Sequence, residues 1–368
     1  MRELGLSQEG LGDLCGVSKQ AVSNWLSGES IPRPKKLKAL CDALEVSLQA
    51  LTTGAEDALP VPVVAYRTRR NSPASDETLN KAIELAEHLR ALVPFVQTDT
   101  LFSPPVLQAP SLDDAYVRRA TTETRKRIGV SPVAPLSRDQ LIGLHRSFGS
   151  ILAPVLWGEE RVGHENALSV YLPDSKTSWV VLSLNARIDD FNYWLAHELG
   201  HCYTLHELHG EDGESFAERF AQELLFPHSA ALDALESVLG SPNRMERARF
   251  YAEAYDISIV TVIRQIDRVA RARGLPVTGL ETPEFWVEWN RNRSSIPTIG
   301  HSIFGTEKPD VATYVTDSER IFGTAFFRVL AQWQLSEGGR SPSFIATVMN
   351  IGLDDAVELS HYLQAHAA

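Results

Sequence analysis

The feature that most constrains this chain is a pair of histidines four residues apart, with a glutamate directly after the first. His197, Glu198 and His201 stand in an apolar, helix-compatible run over 194–204. Residues four apart lie one above the other on a single face of a helix. The spacing therefore predicts a helix that directs two imidazoles at one metal ion, with the Glu198 carboxylate beside it to polarise a water. The alternative is an amphipathic helix that carries the two histidines by chance.

A catalytic zinc site needs a third protein ligand and leaves its fourth position to water. The run 214–227 predicts a second helix, with Glu214 in its first turn. We predict Glu214 as the third ligand and Zn²⁺ as the cofactor. Glu218, one turn later, is predicted to accept the second N–H of a ligand histidine. The alternatives are His206 or His209 as ligand, which would require a sharp turn of the chain, and an ordinary solvated face of glutamates.

Two short motifs in this order are typical of one protein family. The chain has H-E-L-G-H from His197, followed by E-x-x-A-x-x-F-A-x-x-L-L-x-P from Glu214. In this combination it resembles the ImmA/IrrE family of small bacterial zinc metallopeptidases, over residues 60–274. The apolar run 179–185 resembles the strand that precedes the family's metal helix. Position 218 departs from the family, which usually has Asn or Asp where this chain has Glu218.

The resemblance implies a zincin-like mixed α/β fold and a zinc-dependent endopeptidase. It implies that the protein substrate is a small repressor or antitoxin, cleaved in a response to stress or to a mobile element. In such folds the strand at 179–185 can be the sheet edge to which an extended peptide is added. We therefore expect cleavage at one linker or loop site of a small DNA-binding partner, another copy of this chain included, rather than general digestion.

The beginning of the chain predicts a helix, a tight turn and a second helix. Ser7 can cap the first helix, Gly16 supplies the turn, and Ser18 can cap the second helix. Apolar side chains are predicted to hold the two helices at an angle: Leu11, Leu14, Val17, Val22 and Trp25. Two further helices are predicted over residues 32–48.

This pattern resembles the XRE, or phage-repressor, type of helix-turn-helix over residues 1–54. When the two are aligned, the first helix of that type normally begins some residues before the position of Met1. The resemblance implies binding to a DNA operator. It implies a phosphate contact at Gln8 and base-facing side chains at Lys19, Gln20, Ser23 and Asn24. Glutamine and asparagine can pair with adenine, and lysine can reach guanine.

The charge of this N-terminal segment limits how tightly one copy can bind DNA. Six basic and six acidic residues stand within residues 1–54, so the non-specific affinity of one copy is expected to be weak, and a homodimer is one way to strengthen it. The net charge of −12 on the whole chain also excludes a general nucleic-acid coat. The alternative is a helix-turn-helix used only for protein contacts.

The composition is typical of a cytoplasmic regulator. A length of 368 residues predicts two or three domains, and 43% hydrophobic content is enough for real cores. No run in the sequence is typical of a membrane span or of a signal peptide, so no membrane partner is expected. The three cysteines are odd in number and widely spaced, as expected of buried thiols in a reducing compartment.

The sequence therefore predicts an α+β chain in four parts. These are an all-α helix-turn-helix domain at 1–54, a linker with a helix at 55–110, the zincin-like peptidase domain at 111–274 and a small helical C-terminal region at 275–368. Within the third part, a helix over 139–157 is predicted to lead into the peptidase sheet.

Together these patterns predict a DNA-binding transcriptional regulator with zinc-dependent endopeptidase activity. The alternative is a transcription factor whose zinc domain is a non-catalytic sensor or partner-binding module. Glu198 discriminates between the two, because a purely structural zinc site needs no base beside its ligands and usually closes its fourth position with Cys or His.

Overall fold

The computed structural model describes residues 6–27, 32, 34–44, 59–66, 76–96, 106–156, 167–336 and 341–366. The chain divides into two units, between Pro60 and Val61. The described part of the first unit is helical, and the second unit combines a four-stranded sheet with helices. The predicted α+β class is therefore confirmed.

The first unit contains the predicted helix, turn and helix. Its described helices are α1 (Gln8–Cys15), α2 (Lys19–Leu26) and α3 (Pro34–Leu44). The Ser7 hydroxyl accepts a hydrogen bond from the Gly10 amide, and the Ser18 hydroxyl accepts one from the Ala21 amide. Gly16 ends α1 with a left-handed φ of 62°, a conformation that glycine adopts without strain. Both predicted caps and the predicted turn are confirmed.

The core of the first unit differs from the prediction at Leu14, which is 59% exposed. Leu11 and Cys15, one helical turn apart, form the buried stripe of α1 together with Gly12. Leu14 lies to the other side of that stripe on the helix, so it cannot reach the core. The predicted helix positions 45–48 lie outside the described residues.

The second unit is built from four strands and fourteen described helices. The strands are β1 (Val63–Tyr66), β2 (Ile151–Val155), β3 (Ala167–Leu172) and β4 (Thr177–Ser183). The helices around and before the sheet are α4 (Asp76–Arg90), α5 (Asp114–Arg127), α6 (Arg138–Phe148), α7 (Phe191–Thr204) and α8 (Gly210–Leu225). The helices that follow are α9 (His228–Leu239), α10 (Arg244–Tyr255), α11 (Ile259–Ala272), α12 (Pro283–Arg293), α13 (Ile299–Phe304), α14 (Val311–Phe322), α15 (Phe326–Leu335), α16 (Pro342–Met349) and α17 (Leu353–Ala365).

The strand order of the sheet is β1-β3-β4-β2. Strand β4 pairs with β2 in parallel and with β3 in antiparallel orientation, and β1 pairs antiparallel with β3. The prediction that the strand at 179–185 is the sheet edge is therefore wrong, because β4 lies inside the sheet. All seven residues of β4 are buried, and a strand covered on both faces has a continuous apolar run, here residues 179–182.

The prediction of one helix over 139–157 is also wrong, because the helix ends at Phe148 and a strand follows it. Helix α6 begins at a capping box formed by Ser137 and Gln140 and ends at Gly149, which has a left-handed φ of 88°. The chain then continues as β2, whose residues pair with β4. A short apolar run after a helix can extend the helix or start a strand, and only the pairing with β4 decides between them. Residue 157 lies outside the described residues.

The predicted divisions at 110 and 274 do not separate compact units, since residues 61–368 form one unit. Side chains from α4, such as Leu89, and from the C-terminal helices, such as Phe327, share one buried core with the sheet. The C-terminal region also covers strand β2. The Tyr314 hydroxyl donates to the carbonyl of Pro154 at 2.5 Å, so this region packs on the sheet and shares its core rather than forming a core of its own.

Candidate functional site

Helix α7 holds the two histidines of the predicted metal site. Leu195 and Leu199 are fully buried in the core on one side of the helix. His197 and His201 lie one turn apart on another side, and each is 1% exposed. Their Nε2 atoms are 3.1 Å apart. The core contacts of α7 therefore fix a helix face on which two imidazoles converge.

Helix α8 brings the third predicted ligand to these histidines. A Cβ on Gly200 would lie 2.9 Å from the Ala217 Cα, so the lack of a side chain at Gly200 lets the backbones of α7 and α8 approach closely. Glu214 Oε1 lies 3.2 Å from His201 Nε2, and Glu214 Oε2 lies 3.4 Å from His197 Nε2. Helix α8 begins at Gly210, so Glu214 stands one turn inside the helix rather than in its first turn.

His197, His201 and Glu214 form the candidate metal centre. One ligand atom from each residue lies within 4.8 Å of the others. Among the described residues, His206 instead faces the Glu207 carboxylate at 3.1 Å, and His209 is the residue that precedes α8. The geometry thus favours Glu214 over the two alternative histidines, while its role as a ligand stays a prediction.

The charge of Glu214 suits a cation. Burial raises the pKa of Glu214, but hydrogen bonds and charge attraction from His197 and His201 outweigh that effect and hold the pKa well below its ordinary range. The carboxylate is therefore anionic and lies against two imidazole nitrogens. Two nitrogens and one carboxylate oxygen are a donor set that zinc accepts in proteins.

Glu198 is held by a residue that the sequence reasoning missed. The Ser169 hydroxyl, on strand β3, donates a 2.6 Å hydrogen bond to Glu198 Oε2. Ser169 is 2% exposed and Glu198 is 3% exposed, so the bond is shielded from water and strong for its type. The sequence did contain a signal, which is a single serine among the apolar residues of β3. Because side chains alternate between the two faces of a strand, Ser169 lies on the face opposite to Leu168 and Val170.

Two aromatic rings that the sequence reasoning also missed surround His197. Tyr193, one helical turn earlier, stacks on the imidazole with ring centroids 5.9 Å apart and planes 27° apart. Trp194 meets the same ring edge-on at 5.6 Å. Residues three and four positions before a ligand share its helix face, and that spacing was the available signal. These contacts limit how far the His197 ring can rotate.

His145 ties helix α6 to the metal helix. Its Nε2 lies 2.8 Å from the carbonyl of Leu195 and must carry the hydrogen, since a carbonyl only accepts. Its Nδ1 lies 3.0 Å from the Ser150 hydroxyl. Burial lowers the pKa of His145 to about 4, so the ring is neutral and positions α7 through one hydrogen bond.

Two further titratable residues, Glu218 and Cys202, lie near the site. Glu218 lies half-buried on α8, one turn after Glu214, and its bond to a ligand histidine stays a prediction. Burial raises the pKa of the Cys202 thiol. The Cys202 thiol is therefore protonated.

Four of the predicted DNA contacts lie together on α2. Lys19 and Gln20 are exposed, and Ser23 and Asn24 are half-buried. The Gln20 side-chain amide donates to Asn24 Oδ1 at 2.8 Å, which orients both amides on one helix face. Gln8 lies half-buried at the first position of α1. The contact roles of these residues stay predictions.

Residues 1–51 match the family model described as helix-turn-helix. The N-terminal unit is therefore a helix-turn-helix domain of the kind that DNA-binding regulators carry. No curated protein matches the chain. None of the helices in the described residues is long and apolar enough to cross a membrane.

Proposed function

We propose that this chain is a DNA-binding transcriptional regulator of the cytoplasm whose second unit is a zinc-dependent endopeptidase. The observation that carries the proposal is the convergence of His197, His201 and Glu214, with the buried Glu198 beside them. A chance histidine pair on an amphipathic helix would not be expected to face a carboxylate from a second helix. The resemblance of both motifs to the ImmA/IrrE peptidases supports the same reading, including a zincin-like fold.

The residues present fit zinc. His197 and His201 would hold the ion through Nε2, and Glu214 would hold it through its carboxylate, which leaves one coordination position for water or substrate. Bound zinc would supply a Lewis acid that polarises a carbonyl and makes a water more acidic. The rings of Tyr193 and Trp194 against His197 would keep that ligand in one orientation.

Glu198 is the proposed general base. It would take a proton from the attacking water as the new C–O bond forms, and it would pass the proton to the leaving nitrogen as the C–N bond breaks. The hydroxyl of Ser169 holds one carboxylate oxygen of Glu198 at 2.6 Å. Such a bond keeps the base in the position from which it can serve both proton transfers.

The proposed substrate is a small repressor or antitoxin, cut at one extended linker or loop. A peptide must be extended to pair with a sheet beside the metal helix, and folded helix-turn-helix cores offer few such segments. Unfolded casein-like substrates should be cut poorly. The proposed DNA partner is an operator bound through α2, with a homodimer as the arrangement that strengthens binding.

The test compares new protein termini in cells that express the wild type or Glu198→Gln. We expect a few new termini, in small DNA-binding proteins, that depend on Glu198. The variant is a matched control because it leaves the three predicted zinc ligands in place. Many unrelated termini would contradict narrow specificity. The absence of any difference would contradict the peptidase proposal and favour the non-catalytic sensor.

A further inference from the structure

Strand β3 has one neighbour that a peptide could replace. We propose that the edge of β3 beside Glu198 is a peptide-binding edge and that the chain's own strand β1 (Val63–Tyr66) is its resident occupant, so that an extended peptide enters by displacing β1. The inference rests on the proposed peptidase function for the role of the edge. The test of this inference measures peptide binding and not cleavage, so the inference and the peptidase proposal can fail separately.

The first observation is the position of β3 relative to Glu198. Ser169, in the middle of β3, donates to Glu198 at 2.6 Å. In the register of β1 on β3, Ala65 stands directly opposite Ser169. Directly opposite residues of an antiparallel pair share one face of the sheet, so Ala65 lies on the same face as the bond to Glu198. Strand β1 also packs against α8, the helix that carries Glu214.

The second observation is that the opposite side of the sheet is already taken. Beyond β2, the hydroxyl of Tyr314 donates to the Pro154 carbonyl and the hydroxyl of Thr324 donates to the Leu152 carbonyl, each at 2.5 Å. A peptide added there would have to remove the C-terminal helices. The β3 side is therefore where an extended segment can approach the residues of the metal centre.

The third observation is that β1 forms fewer residue pairs with its neighbour than the other strands do, while it also contacts α4 and α8. It forms four residue pairs with β3, whereas β3 and β4 form six. Pro60 and Pro62 precede the strand and have no amide hydrogen with which to extend the ladder. Val61, between them, is 69% exposed. A short strand with a proline-bounded start can leave its edge without disturbing the pairing of β3 with β4.

The occupant also indicates the chemistry of the peptide that would replace it. Ala65 is 9% exposed, so the position opposite Ser169 has room for a small side chain only. Val63 and Val64, directly before it, are half-buried. The favoured partner is an extended apolar segment with β-branched residues before a small one, rather than a charged or helical segment.

The test uses the full chain with Glu198→Gln, so that no probe is cleaved. The probe is a fluorescein-labelled peptide with the sequence of residues 59–66, Leu-Pro-Val-Pro-Val-Val-Ala-Tyr, measured by fluorescence anisotropy. Ala65→Pro weakens the pairing of β1, and Val61→Pro is the matched control outside the ladder. The probe can bind only to those molecules in which β1 has left the edge, so its apparent affinity is proportional to their fraction. We therefore expect Ala65→Pro to bind the probe about tenfold tighter than the control. Equal affinities would overturn the proposal.

A second variant covers the case in which Ala65→Pro does not fold. Val64 and Val170 are directly opposite in the register, a separation that a disulfide can span. Val64→Cys with Val170→Cys should therefore lock β1 in place when oxidised, while the natural cysteines are buried. We expect the probe to bind about tenfold more weakly to the oxidised than to the reduced form. Equal binding would show that peptides add elsewhere. Probe binding as expected without cleavage in cells would leave this inference standing and refute the peptidase proposal.

Discussion

The contact between α7 and α8 at Gly200 allows one added methyl group to test the candidate metal centre. In Gly200→Ala the new Cβ would lie 2.9 Å from the Ala217 Cα, 3.3 Å from the Ala217 Cβ and 3.4 Å from Phe220 Cδ1. The nearest of these atoms belongs to the backbone of α8. Rotation of a side chain cannot relieve that contact, so the two helices must separate.

The matched control is Gly143→Ala in α6, where an added Cβ meets nothing within 4 Å. Both substitutions gain about 0.5–1 kcal/mol of helix propensity. Only Gly200→Ala adds an overpacking cost of about 1–3 kcal/mol. Gly143→Ala should therefore be more stable than the wild type, and Gly200→Ala should be less stable than Gly143→Ala by about 1–3 kcal/mol.

The same separation should weaken zinc binding, because α8 carries Glu214 and α7 carries His197 and His201. The assays are urea unfolding of the metal-free proteins and zinc titration against a competing chelator. We expect a lower zinc affinity in Gly200→Ala and an unchanged one in Gly143→Ala. Equal stabilisation by both substitutions would refute the close-contact argument. A loss of stability with full zinc affinity would refute the link between this contact and the ligand geometry.

Three further predictions concern the metal, the DNA and the pH dependence of stability. Purified protein should carry close to one zinc per chain, less in Glu214→Ala and an unchanged amount in Glu198→Gln; full zinc in Glu214→Ala would mean that another residue is the third ligand. Gln20→Ala or Asn24→Ala should cost about 1–3 kcal/mol of DNA-binding free energy at one base position, and DNA binding should weaken as the salt concentration rises. DNA binding that changes neither with these substitutions nor with salt would indicate a protein-contact module. Since burial lowers the pKa of His145 to about 4, the unfolded chain binds a proton below pH 6.5 that the folded chain does not. Stability should therefore fall by up to about 3 kcal/mol from pH 6.5 to pH 4, and a pH profile unchanged in His145→Gln would contradict this.

The parts that could be predicted from the sequence depend on residues close together in the chain. The caps at Ser7 and Ser18 and the turn at Gly16 were predicted because each involves neighbours within one helical turn. The shared face of His197 and His201 follows in the same way from the period of a helix. Leu14 shows the limit of such reasoning, since the partner helix selects which side of a short helix becomes buried.

Strand order was the main feature that the sequence could not decide. The run at 179–185 is recognisable as a strand, but its apolar residues do not say which strands lie on either side. The pairing of β1 with β3 joins positions about one hundred residues apart, and their alignment depends on the helices packed around both strands. For the same reason Ser169 could not be connected to Glu198 before the sheet was known.

The sequence by itself determined the chemistry available to this protein: two histidines and a glutamate on one helix, a second acidic helix, and a helix-turn-helix at the start. Only the tertiary structure decided that Glu214 faces both histidines, that Ser169 holds Glu198, and that β1 covers the edge beside them. Local patterns are determined by the fixed geometry of the backbone. Contacts between distant segments are determined by how their buried surfaces fit, which no single stretch of sequence contains.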